Sequence, residues 1–87
     1  MISWSEDKNN QLKEKRGVSF EGATEEILAG RLLDLIPHPA RPNQQIYIIR
    51  LNGYVHGVPF VEDEEGNIFL KTIYPSRGLQ KKYGGRP

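Results

Sequence analysis

No cysteine occurs in the 87-residue chain, which excludes a disulfide framework and any thiolate metal site. Stability must come from packing or from a partner. Apolar residues make up 37% of the sequence and mean hydropathy is −0.60. No run approaches the ~20 apolar residues that cross a bilayer. The opening Met1-Ile2-Ser3-Trp4-Ser5-Glu6-Asp7 lacks the apolar core of a signal peptide, so a cytoplasmic location is expected, with no membrane partner. Acidic residues are absent after Glu65, where Lys71, Arg77, Lys81, Lys82 and Arg86 are all positive. A chain this short has room for one domain, residues 1–87, with one modest core.

The net charge of +1 therefore hides an uneven distribution. Glu62, Asp63, Glu64 and Glu65 cluster in one place and read as a solvated turn, without the alternating ligands of a calcium loop. A basic end on a balanced domain suggests contact with a polyanion or an acidic protein, against the plainer reading of a solvated tail. Two isolated histidines, His38 and His56, give no zinc signature. His38 lies between Pro37 and Pro39 and reads as a solvated loop side chain. Gly84-Gly85 lead into no helix, so no phosphate-binding loop is present.

The second half of the chain reads as strands. Leu32 to Ile36 is a short apolar run, ended by a loop with three prolines over residues 37–43. Gln44 to Leu51 and Tyr54 to Val61 are rich in β-branched and aromatic residues. Asn52-Gly53 between them is a strong hairpin signal, since both residues tolerate positive φ in a type I′ turn. Ile68 to Tyr74 forms a third strand. Pro59 cannot donate to a ladder, so a bulge or an unpaired edge is expected beside it.

A two-residue loop pairs Leu51 with Tyr54 and Ile49 with His56. Alternation then places Gln45, Tyr47, Ile49 and Leu51 on one face with Tyr54, His56, Val58 and Phe60. That bulky face is the one helices cover, and His56 becomes a hydrogen-bonded core residue. The other face carries Ile46, Ile48 and Arg50 with Val55, Gly57, Pro59 and Val61. In the last strand, Ile68, Leu70, Thr72 and Tyr74 alternate against Phe69, Lys71 and Ile73. Burying a lysine under helices is costly, which assigns Lys71 to the open face beside Arg50, although a slip of one residue in the turn inverts this.

Trp4 to Arg16 reads as a charged helix, and Phe20, Ala23, Ile27 and Leu28 recur at helical spacing with Leu32 closing the stripe. Gly17 suits the left-handed position that ends a helix. Ser19 then caps the second helix, with Glu21 and Glu25 near its positive end. Val18 and Ala23 form a modest staple, but Gly22 stands where a glutamate completes a capping box.

Trp4, Lys8, Gly17-Val18-Ser19-Phe20-Glu21 and Ala23 together resemble the opening of BrnT-family toxins over residues 4 to 23. Two positions depart from that pattern: Ser5 stands where an aspartate commonly follows the tryptophan, and Arg16 where a histidine commonly precedes the glycine. The resemblance implies a RelE-like ribonuclease of a bacterial toxin–antitoxin pair that inhibits translation. It also implies a cognate antitoxin as protein partner, contact with operator DNA only through that antitoxin, and no cofactor or metal. The expected architecture is α+β: two N-terminal helices packed on a three- to four-stranded antiparallel sheet, with a short basic C-terminal turn or helix.

RNA cleavage by its own 2′-hydroxyl needs proton removal, stabilisation of charge on phosphorus and proton delivery to the leaving oxygen. An arginine fork matches phosphate geometry, and a lysine among cations serves as acid or base. Lys71, Arg77 and Arg50 are therefore the candidate catalytic residues, meeting on the open face. Lys81 and Lys82 are candidates for holding flanking phosphates. Tyr74 and Tyr83 flank the basic segment; either they stack on bases, or Tyr74 belongs to the core and Tyr83 anchors the end. The rival reading is a non-catalytic domain that binds RNA or protein through the same basic end.

Overall fold

The structure is a computed structural model that describes residues 1–85; Arg86, counted above in the basic segment, lies outside the described residues. In chain order the elements are β1 (Ile2–Trp4), α1 (Glu6–Arg16), α2 (Phe20–Leu28), β2 (Asp34–Pro37), β3 (Gln45–Leu51), β4 (Tyr54–Glu62), β5 (Ile68–Leu70), β6 (Tyr74–Pro75) and α3 (Arg77–Leu79). α3 runs directly into a π-helical turn, Gln80–Gly84.

Both expected helices form, with their boundaries set by capping. Ser5 Oγ accepts from Lys8 N at 3.2 Å and starts α1, so Trp4 falls in a strand ahead of the helix rather than inside it. Gly17, at φ 67°, ends α1 in the left-handed region. Ser19 Oγ accepts from Gly22 N at 3.0 Å. Another element adds a cap of a different kind. Asn9 of α1, fully buried, accepts from Phe20 N at 2.8 Å and donates to Glu21 Oε1 at 2.8 Å. One orphan amide of α2 is thereby satisfied by α1.

The sheet has six strands in the order β1-β5-β4-β3-β2, with β6 also pairing β4. This corrects the expectation of three or four antiparallel strands. β1 lies parallel to β5, pairing Ile2 with Ile68 and Trp4 with Leu70. The β3–β4 hairpin has the expected register, Leu51 opposite Tyr54 and Ile49 opposite His56, and Asn52 and Gly53 both adopt positive φ.

The third long strand is broken. Phe60 pairs with Leu70 and Gly57 with Tyr74, so residues 71–73 lie opposite only Val58 and Pro59. This is a β-bulge beside the proline, and the extra residue exchanges the faces beyond it. Ile73, expected on the open face, is buried under the helices; Tyr74, expected under them, lies across Gly57 instead. Arg16 Nη1 donates to Ile73 O at 2.6 Å and ties α1 to the bulge.

α1 and α2 cover one face through Leu12, Phe20 and Ala23, which pack on Tyr47, Ile49, Val58, Phe60, Leu70 and Ile73. Tyr47 and Phe60 stack with centroids 4.1 Å apart, and Trp4, half-buried, stacks on Phe20 at 5.6 Å. His56 is buried on this face and its Nδ1 lies 2.9 Å from Tyr54 O, as the core reading expects. The opposite face is not fully open: Leu79 and Tyr83 of the C-terminal helical segment pack on Ile46, Ile48 and Val55.

Candidate nucleic-acid interface

The C-terminal segment is held on the sheet by three polar contacts. Val55 N donates to Gln80 Oε1 at 2.9 Å, Arg50 Nη2 donates to Gly84 O at 3.1 Å, and Tyr83 Oη donates to Asp34 Oδ2 at 2.6 Å. Tyr83's hydrogen bond, followed by that of Leu35 N, holds the Asp34 carboxyl below its ordinary range; the same bond to Asp34 raises the Tyr83 phenol. With Tyr83 anchored, Lys81 and Lys82 point outward and exposed, and Lys82 Nζ sits 5.3 Å from the Tyr83 ring centroid.

The candidate catalytic residues divide into two places. Arg50 lies opposite Val55 on β3, and Ser76 N donates to Val55 O at 3.3 Å from the other side of β4. Arg50 and Arg77 thus flank β4 at about the same level. Lys71 bonds through its backbone N to Pro59 O at 2.8 Å, four residues along β4 from Val55. At ~3.3 Å per residue that is roughly 13 Å away. Lys71 is exposed, with its Nζ 5.5 Å from the Phe69 centroid.

Lys71 keeps different company. It lines an open cleft of about 380 Å³ together with His38, Arg41, Gln44, Pro59 and Thr72. The bulge presents Lys71 and Thr72 to it, and the β2–β3 loop supplies the rest. That loop is closed by His38 N to Gln44 O at 3.1 Å and Gln44 N to Arg41 O at 3.0 Å. The His38 ring is fixed as well, because Nδ1 accepts from Ala40 N at 3.0 Å and Arg41 N at 3.2 Å. His38 is half-buried rather than the solvated side chain expected. Arg41 carried no sequence signal beyond its charge. Proximity to Lys71 comes from the β2–β3 loop meeting the bulge across the sheet, which no local spacing encodes.

Among the described residues no group of three or more His, Cys, Asp or Glu gathers as for a metal, and no helix is long and apolar enough to cross a membrane.

No family model matches the sequence, and no curated protein matches it significantly. Among solved structures, the 1.1 Å crystal structure of the Brucella abortus ribonuclease toxin BrnT superposes with a TM-score of 0.61. The fold is BrnT-like. The match covers 87% of this chain and 97% of BrnT, at 16% sequence identity. The shared fold thus extends over most of both chains, well beyond residues 4–23.

Proposed function

We propose that the protein is a ribonuclease toxin of a type II toxin–antitoxin pair, a metal-independent endoribonuclease acting in the cytoplasm and arresting translation. The single observation that carries this reading is the structural match to BrnT over nearly the whole of both chains. In this reading the 2′-hydroxyl of RNA attacks the adjacent phosphorus, the O2′–P bond forms and the P–O5′ bond breaks. The proton lost from the 2′-oxygen is balanced by one delivered to the departing 5′-oxygen. Arg77 stabilises charge on the phosphate, Lys71 and Arg50 supply further positive charge, and Lys81, Lys82 and Tyr83 hold the strand on either side. A cognate antitoxin neutralises the protein and alone contacts operator DNA.

The separation of Lys71 from Arg50 and Arg77 favours a second reading, a domain that binds RNA or protein without cutting. Incubating purified protein with RNA in the presence of EDTA decides between them, with growth on induction measured in parallel. Cleavage and growth arrest are expected. Stable RNA binding with every phosphodiester intact would establish the second reading instead.

A further inference from the structure

We propose that the cleft between the β2–β3 loop and the bulge is a nucleotide seat, in which His38, Arg41 and Lys71 grip one phosphate of single-stranded RNA. The inference rests on the ribonuclease reading and names where that substrate docks.

Three donors of different kinds line the cleft, and its lining residues include no carboxylate to repel an anion. Arg41 offers a planar fork and Lys71 a mobile point charge. His38 offers something more fixed. Two backbone N–H groups point at Nδ1, so that nitrogen is an acceptor and the ring hydrogen sits on Nε2. The imidazole therefore offers an oriented N–H donor. Its orientation is set before any ligand arrives, which lowers the entropy lost on binding. The Thr72 hydroxyl and the Gln44 amide, also in the lining, provide the mixed donor and acceptor capacity that a ribose or a base edge needs. Lys71 joins this seat to the strand path toward Arg77, along β4.

Two substitutions separate the two halves of the histidine. His38→Asn keeps a side-chain oxygen for Ala40 N and Arg41 N but loses the distal donor; His38→Gln keeps a distal N–H and gives up the turn. Titration with uridine 3′-monophosphate, followed by NMR, should shift the His38 ring signals and the Ala40 and Arg41 amides saturably. Inorganic phosphate should bind more weakly at the same signals. His38→Asn should melt like the parent and bind the nucleotide about tenfold or more weakly, as loss of a hydrogen bond to a charged group implies. His38→Gln should recover part of that loss.

Unmoved signals at residues 38–41, or a folded His38→Asn protein that binds like the parent, would overturn the seat. Equal affinity for inorganic phosphate would make it a free-phosphate site and overturn the nucleotide assignment. RNA cleavage by the parent is read separately. A parent that cuts RNA while the cleft stays silent sinks this inference and spares the ribonuclease reading. Nucleotide binding in the cleft without cleavage does the reverse.

Discussion

Asn9 illustrates how much one side chain carries in a small core. It is the buried polar residue that joins α1 to the first turn of α2, with its oxygen on Phe20 N and its nitrogen on Glu21. Asn9→Ala strands a buried backbone N–H, and we expect a loss of about 1–3 kcal/mol in chemical denaturation. Phe20 has no exposed surface, so Phe20→Ala should cost about 3–5 kcal/mol. Trp4→Ala should cost less than Phe20→Ala, since Trp4 stacks on that ring but remains half exposed. Equal thermal shifts for the two would contradict this ranking. At Arg77 the expected effect is on rate. Arg77→Ala should fold normally and lower RNA cleavage ~10²–10³-fold, with Arg77→Lys recovering only part, because a point charge does not reproduce the bidentate fork. Parent-like cleavage by folded Arg77→Ala would remove this residue from the chemistry.

At the scale of elements, the C-terminal helical segment is joined to β2 by a bond whose strength depends on pH. Asp34 is held below its ordinary range, so its contribution is present above the unfolded-state value and lost as pH falls through the lower folded value. The window lies below about pH 4. Tyr83 is shifted upward, so its contribution is present below the ordinary phenol range and lost as pH rises through the higher folded value. Protection of the amides in residues 80–84, taken as exchange relative to the unstructured chain at the same pH, should therefore fall toward both extremes, and Tyr83→Phe should remove that pH dependence of the protection.

The elements that the sequence declared were those with local signals. Asn52-Gly53 sets its hairpin from two adjacent residues, and Gly17 and Ser19 mark their helix ends through backbone conformations that side chains favour or forbid. β1 carried no such signal, since three residues form a strand only because residues 68–70 lie alongside. Pro59 announced a bulge by its missing donor. That the slip came to a single residue depends on Ile73 entering the core and Tyr74 covering Gly57. A Cβ at Gly57 would lie 2.6 Å from Tyr74 Cζ, so Gly57→Ala should cost about 1–3 kcal/mol by displacing that ring. The candidate site was legible only in part for the same reason. Lys71 lies exposed, as the cost of burying its charge demands, but its neighbours His38 and Arg41 arrive from a loop about thirty residues earlier in the chain.

Considered as a whole molecule, the protein pairs a near-neutral overall balance with an exposed cationic end, so nucleic-acid affinity should be strongly salt-dependent. Replacing Lys81 and Lys82 together with alanine should reduce the slope of log affinity against log salt by roughly one for each phosphate no longer neutralised. An unchanged slope would assign that end to a protein contact.

The parallel pairing of β1 with β5 also bears on when the sheet can be completed. Met1 O accepts from Ile68 N at 2.8 Å, and the amino terminus donates to Asn67 Oδ1 at 3.3 Å, across 66 positions of sequence. A nascent chain emerging from a ribosome holds β1 without its strand partner until residues 68–70 have been made. Closure of so long a loop is slow relative to helix formation. Synthesis and completion of the sheet are thereby separated in time: a stalled or truncated product ending before residue 68 has nothing to dock β1 against. The hydrophobic edge of Trp4 and Ile2 then stays open to a chaperone or a protease, and the complete sheet forms only once translation has passed β5.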